Sequence, residues 1–243
     1  MTGASFRDAD ARGRADEPAF RLGSGPGVKV CGLTEPTNAL DCLAAGADWI
    51  GLNFHPPSPR GLTAERAEGI IRALPDVGVA VGLFVDRPAG EVRALCRALG
   101  IRRVQLHGDE PAEDLIDLDE FFLIRAFRLR DATAVSAMSA YLERAERLGR
   151  PPDAVLIDGW APGLAGGTGA VVGDEALATL PPLSRLMLAG GLTPENVADR
   201  AALVRPWMVD VASGVERSPG IKDVAKVRAL VRALEVDGMS EGR

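Results

Sequence analysis

A thiol and a carboxyl, each closing a short apolar run, are the residues of this chain best suited to proton chemistry. Cys31 ends Val28-Lys29-Val30-Cys31 just before Gly32 breaks the run, and Asp158 follows Ala154-Val155-Leu156-Ile157. A cysteine thiol, with a reference pKa of about 8.5, yields a thiolate in a modestly electropositive setting and can then take a proton from carbon. A carboxyl kept protonated by burial can serve as the matching acid. Taken alone, each residue also has a structural explanation, Cys31 as a small buried hydrophobe and Asp158 as a helix cap or loop hydrogen-bonder. The elements that position them decide between the two.

Those elements alternate strictly. After the Cys31 run, a helix is expected from about Pro36 to Ala45, with Pro36 in the first turn where its missing N–H is harmless. A strand over Asp48–Phe54 leads into the proline-rich loop His55-Pro56-Pro57-Ser58-Pro59-Arg60. Ala67, Ile70, Ile71 and Leu74 then recur with the spacing of one buried helix face. Val77 to Val85 is almost wholly apolar and reads as a parallel strand covered on both faces. Val92, Leu95, Cys96 and Leu99 mark the next helix, in which Cys96 is a small core residue.

Strands at Arg103–Leu106, Phe122–Phe127, Ala154–Ile157, Arg185–Ala189 and Trp207–Val211 follow, separated by helices near 111–118, 135–148, 174–179 and 193–200. A last helix is expected from Lys222 to Leu234. Eight strand-helix pairs in 243 residues match the roughly 250 residues typical of one closed parallel barrel. The fold class is therefore α/β, a single (β/α)8 TIM barrel over 28–236. Met1–Gly27 reads as a weakly ordered tail, poor in large apolar side chains, and 237–243 as a C-terminal tail.

Such a barrel carries its active site at the carboxyl ends of its strands. Read off there, the candidates are Cys31, the loop from Asn53 to Arg60, Asp86, His107, Asp158, Gly190-Gly191 and the segment Asp210 to Gly214. Gly190, Gly191, Ser213 and Gly214 stand after the last two strands, where exposed backbone N–H groups and a helix dipole commonly hold a phosphate. Arg60 offers a planar fork matched to a carboxylate. His107 and Asp210 are placed among the substrate-binding residues at the rim. The glycine-rich loop over 159–169 reads as catalytic or as a lid.

Composition excludes several alternatives. A formal charge of −6 leaves no basic stripe for nucleic acid. Three scattered cysteines form neither a disulfide framework nor a zinc cluster, no signal-like segment precedes them, and a cytoplasmic location is expected. His55 and His107 are the only imidazoles, so no metal site is expected, and no apolar run approaches the roughly 18 residues of a membrane span.

In its motifs the chain resembles the phosphoribosylanthranilate isomerase family of tryptophan biosynthesis. They are Lys29-Val30-Cys31-Gly32, Gly51-Leu52-Asn53-Phe54 leading to Ser58-Pro59-Arg60, Val81-Gly82-Leu83-Phe84-Val85 and Gln105-Leu106-His107-Gly108. They continue through Leu156-Ile157-Asp158, Gly166-Gly167-Thr168-Gly169, Leu188-Ala189-Gly190-Gly191-Leu192, Asp210 to Glu216 and Pro219 to Asp223. The resemblance implies an Amadori rearrangement of a phosphosugar substrate without a cofactor, with Asp158 as general acid and Cys31 as general base. It further implies Arg60 on the anthranilate carboxylate and the paired glycines on the phosphate. A homodimer is compatible with it. Strand five reads Ile124-Arg125-Ala126 where many relatives carry lysine. Other readings are a different phosphosugar isomerase on the same barrel, or a phospho-ligand-binding protein without catalysis; the latter would lack the acid or the base.

Overall fold

The computed structural model describes residues 25–129, 132–159 and 180–237. Eight parallel strands close into a barrel in chain order: β1 (Gly27–Cys31), β2 (Trp49–Asn53), β3 (Ala80–Phe84), β4 (Arg103–Leu106), β5 (Phe122–Leu129), β6 (Ala154–Gly159), β7 (Leu186–Leu188) and β8 (Met208–Val211). β1 pairs with both β2 and β8, Cys31 standing opposite Gly51 and Lys29 opposite Asp210. The connecting helices are α1 (Pro36–Ala44), α2 (Ala64–Ala73), α3 (Ala89–Leu99), the single turn α4 (Asp114–Asp117), α5 (Ala132–Arg147), α6 (Val197–Val204) and α7 (Val224–Asp237). The expected glycine-rich loop, the helix near 174–179, most of the N-terminal tail and the last residues lie outside the described residues.

Side-chain alternation splits the apolar residues into two separate cores. Val28, Val30, Ile50, Leu52, Val104, Leu123, Ile157, Val209 and Val211 pack outward against the helices. Trp49, Val81, Phe122, Ile124, Ala154, Leu156, Met187 and Met208 fill the barrel itself. Both faces of each strand are thus buried, which is why the strands read as nearly continuous apolar runs. The amino end of the barrel is stoppered by aromatics: Trp49 meets Phe122 and Trp207 edge-on, at centroid distances of 5.7 and 5.4 Å. The Arg103 guanidinium lies 4.8 Å over the Trp49 ring, and burial pushes its pKa down to about 10. With that end filled, inward-facing polar residues are left to the carboxyl end.

A bracing network holds three strand ends together there. Arg125 alternates with inward Ile124 and Ala126 and so points into the helix layer, stacking on Phe127 and Tyr141. Its Nη1 donates to the Leu106 and Ala126 carbonyls at 3.1 and 2.8 Å, and its Nη2 to that of Gly108 at 3.0 Å. Glu110, 3.3 Å from Nη1, accepts in turn from the backbone N–H groups of Asp86 and Gly108, both at 2.9 Å. The departure at strand five is therefore a structural brace, and it fixes the loop that carries His107.

Several boundaries differ from expectation. Gly27, placed in the tail, is the first residue of β1 and pairs with Met208. The strand expected over Val77–Val85 opens instead with a 3-10 turn, Val77–Val79, because the Asp76 carboxylate caps the Gly78 N–H at 2.8 Å. The helix near Thr193-Pro194 begins only at Val197, since Thr193 and Asn196 first close a turn on each other. Lys222 does not open the last helix. It lies in β10 (Ile221–Lys222), which forms an antiparallel hairpin with β9 (Glu216–Ser218).

Removing one partner of a buried ion pair strands the other, at a cost of about 3–5 kcal/mol. Glu110→Ala should therefore lower unfolding stability in urea by that order, and a loss below about 1 kcal/mol would count against the brace.

Candidate active site

Cys31 and Asp158 face the barrel interior from the carboxyl ends of β1 and β6, and both are buried. Room for the thiol comes from across the ladder. A Cβ on Gly51 would stand 2.7 Å from the Cys31 sulfur, so any larger residue there would displace it.

Between the thiol and the carboxyl runs a row of buried charges. Lys29, wholly buried two residues before Cys31, places its ammonium 2.9 Å from both carboxylate oxygens of Asp210 on β8. Burial alone would lower the Lys29 pKa, but Asp210 and Cys31 outweigh it and hold the ammonium above its usual range. Asp210 also lies near His107 and Asp158, which act on its carboxyl in opposite senses. On the far side, His107 Nε2 lies 3.2 Å from Asp158 Oδ2, and His107 Nδ1 lies 2.9 Å from the Gln105 side-chain nitrogen.

Burial pushes the Cys31 thiol up, Lys29 and Lys222 pulling against it. A thiolate that is scarce at neutral pH but strongly basic suits abstraction of a proton from carbon. Burial also raises Cys42 and Cys96, to about 11 and about 12, and neither reaches the interior of the barrel.

The β9–β10 hairpin folds against the same end. Its Glu216 carboxylate accepts from Arg60 Nε at 2.8 Å and Nη2 at 2.7 Å, from Lys222 Nζ at 2.8 Å and from the Gly220 N–H at 3.0 Å. Burial would raise that carboxyl, yet the bonds from Arg60 and Lys222 prevail and hold it below its ordinary value. Lys222 also donates to the Ala212 carbonyl at 3.1 Å, anchoring the segment after β8.

Three residues expected to bind substrate have protein partners in this geometry. Arg60, expected to turn its fork to a ligand carboxylate, has its Nε–Nη2 edge engaged by Glu216, 156 residues away in the chain. Asp210, expected to bind substrate, gives both oxygens to Lys29 because the β1–β8 register sets the two opposite. His107, also expected to bind substrate, has both ring nitrogens facing protein groups. Asp86, at φ +50°, accepts from the Asp109 N–H and belongs to the rim brace.

The glycine positions agree with a close-approach loop. Gly190 and Gly191 take φ of +90° and +61°, a region that other residues rarely enter. Gly214, in the 3-10 turn Ser213–Val215, packs so tightly on the Leu192 carbonyl that a Cβ has no space, so the two loops form one surface. Sequence reasoning passed over Lys29, Gln105, Arg128, Glu216 and Lys222. A lysine inside an apolar strand was a usable signal for the first; the hairpin that carries the last two has no periodicity to betray it.

A family profile described as N-(5'-phosphoribosyl)anthranilate (PRA) isomerase matches residues 28–233. The N-(5'-phosphoribosyl)anthranilate isomerase of Pseudomonas paraeruginosa is 42% identical over 214 residues, 88% of this chain and 97% of that one. The solved phosphoribosylanthranilate isomerase of Thermotoga maritima superposes with a TM-score of 0.76 at 30% identity, covering 87% of this chain and 99% of its own. Another solved relative, 29% identical with a TM-score of 0.71 over 88% of this chain and 100% of its own, is a complex with reduced 1-(o-carboxyphenylamino)-1-deoxyribulose 5-phosphate.

Because burial raises the Cys31 pKa, the thiolate must appear only as pH climbs past the ordinary thiol range. Alkylation of Cys31 by iodoacetamide, followed by peptide mass spectrometry, should accelerate through a midpoint above about 8.5. A midpoint at or below that value would contradict the assignment.

Proposed function

The chain belongs to the N-(5'-phosphoribosyl)anthranilate isomerase family, and from that membership we propose that Cys31 and Asp158 carry its rearrangement as general base and general acid. The enzyme isomerises N-(5'-phosphoribosyl)anthranilate to 1-(2-carboxyphenylamino)-1-deoxyribulose 5-phosphate, an aldose-to-ketose step of tryptophan biosynthesis. The observation that carries the catalytic reading is the placement of one thiol and one carboxyl, both inward, at the carboxyl ends of β1 and β6.

Asp158 gives its proton to the furanose ring oxygen, the C1–O bond breaks, and the anthranilate nitrogen supplies the electron pair of a C1–N iminium. That iminium acidifies the neighbouring C2–H. The Cys31 thiolate takes this proton, and the electron pair left behind becomes the C1–C2 double bond of an enolamine. In the return to the ketone the C2 hydroxyl proton passes to the Asp158 carboxylate and the Cys31 proton passes to C1. Both groups end in their starting states, and no carbon–sulfur bond is made. Each proton transfer by a positioned group is worth about 10²- to 10⁴-fold in rate.

Binding follows from the remaining residues. Backbone N–H groups at Gly190, Gly191, Ser213 and Gly214 hold the phosphate, a role supported by the positive φ of Gly190 and Gly191 and by the packing of Gly214 on the Leu192 carbonyl. Arg60, oriented by Glu216 along one edge, keeps Nη1 for the anthranilate carboxylate. Asp210 and His107 act behind these contacts, on Lys29 and Asp158. A homodimer and a cytoplasmic location belong to the same reading. The first is supported by the dimeric isomerase from which monomers were generated in Thermotoga maritima, the second by three unpaired thiols. Among the described residues no helix is long and apolar enough to cross a membrane.

Cys31→Ala and Asp158→Asn should each keep the native far-ultraviolet circular dichroism and bind product with little change. Each should lose turnover by about 10²-fold or more, followed as the fluorescence loss of phosphoribosylanthranilate. Turnover within about tenfold of wild type in either variant would sink its assigned role. Arg60→Lys should raise KM more than it lowers kcat, since the loss falls on binding shared by ground and transition states.

A further inference from the structure

Gln105 has no part in the chemistry so far, yet its position is unusual. It is wholly buried, projects inward from β4 two residues before His107, and its side-chain nitrogen meets His107 Nδ1 at 2.9 Å. Its carbonyl oxygen, equally buried, has no hydrogen-bond partner among the described residues. An amide nitrogen can only donate, so this contact requires a bare Nδ1 and leaves the ring proton on Nε2. Nε2 then donates to Asp158 Oδ2 at 3.2 Å. The observed orientation leaves the carbonyl oxygen and one amide hydrogen unpaired among the described residues, whereas the opposite one would strand both amide hydrogens, the costlier omission since orphaned N–H groups are rarer than under-satisfied carbonyls.

We propose that Gln105 sets the tautomer of His107 and thereby the proton position at Asp158, acting as a positioning residue for the acid step. An imidazole locked as an Nε2–H donor stabilises the carboxylate that remains once Asp158 has given up its proton. The reverse tautomer would offer a lone pair to Asp158, hold its proton and oppose the transfer. The other charges facing Asp158 are Arg128, its register partner on β5, and Asp210 on β8. Arg128 is itself tied to the His107 carbonyl at 2.9 Å, so the ring is fixed from its backbone as well. The proposal rests on Asp158 as the acid. The ring tautomer, however, is measured without turnover, so a failure there is distinct from a failure of Asp158→Asn to lose activity.

The chain contains two histidines, which makes the test direct. Nitrogen-15 NMR of the ¹⁵N-histidine-labelled protein at neutral pH, with His55→Gln to assign the signals, reads the protonation of each ring nitrogen. The wild-type protein should show His107 neutral, protonated on Nε2 and bare on Nδ1. Gln105→Glu presents only acceptors and should move the proton to Nδ1. Its kcat should fall by about 10- to 100-fold, the usual penalty for losing the partner that orients an imidazole, with KM changed by less than about threefold. Gln105→Met, which removes the bond without reversing it, should give a mixed tautomer and a smaller loss. A wild-type ring protonated on Nδ1 overturns the proposal whatever the variants do. A Gln105→Glu protein that switches tautomer yet keeps its kcat, or loses kcat with the tautomer unmoved, overturns it as well.

Discussion

A lysine ammonium without access to water stands at the centre of this molecule, held by two carboxylate oxygens from the neighbouring strand. An unpaired charge in that position would be intolerable, so Lys29 demands Asp210, and Asp210 in turn demands the β1–β8 register that closes the barrel. Closure and active-site electrostatics are therefore one constraint. A one-residue slip would turn Lys29 into the helix layer and Cys31 with it. The same ammonium counters the burial that suppresses the Cys31 thiolate.

The two ends of the barrel divide the physical work. Aromatic rings and the buried Arg103 fill the amino end and make the strands rigid there. At the carboxyl end Cys31 is flanked by lysines and Asp158 is held through an imidazole. The β9–β10 hairpin adds a third fixed part. Its Glu216 gathers Arg60 and Lys222 onto one carboxylate and so orients a cationic fork before any ligand arrives. Preorganisation of this kind leaves less to be ordered during the reaction.

Much of the fold was legible because a parallel strand covered on both faces must be apolar throughout, and β4 is found where its run predicts. The placement of Cys31 and Asp158 was legible for a related reason: in a barrel, the residue that ends a strand lies at the mouth. Pairing choices were not legible. Arg60 finds Glu216 across 156 residues and Lys29 finds Asp210 across 181, contacts that no local pattern records. The short hairpin escaped because two- and three-residue strands carry no periodicity, so Lys222 read as the first turn of a helix. His107 was legible at the rim, but its contacts with Gln105 and Asp158 were not, since spacing cannot say which way an imidazole turns.

The central claim is that the Cys31 sulfur receives the hydrogen from C2 of the sugar. It is tested most directly by comparing substrate deuterated at C2 with ordinary substrate, in the wild-type enzyme and in Cys31→Ser. A weaker acceptor makes proton abstraction the slowest step. The account predicts that the variant is slowed and shows a larger primary isotope effect on kcat than the wild type. A slowed variant with no C2 isotope effect would place the lost function of Cys31 elsewhere and contradict it.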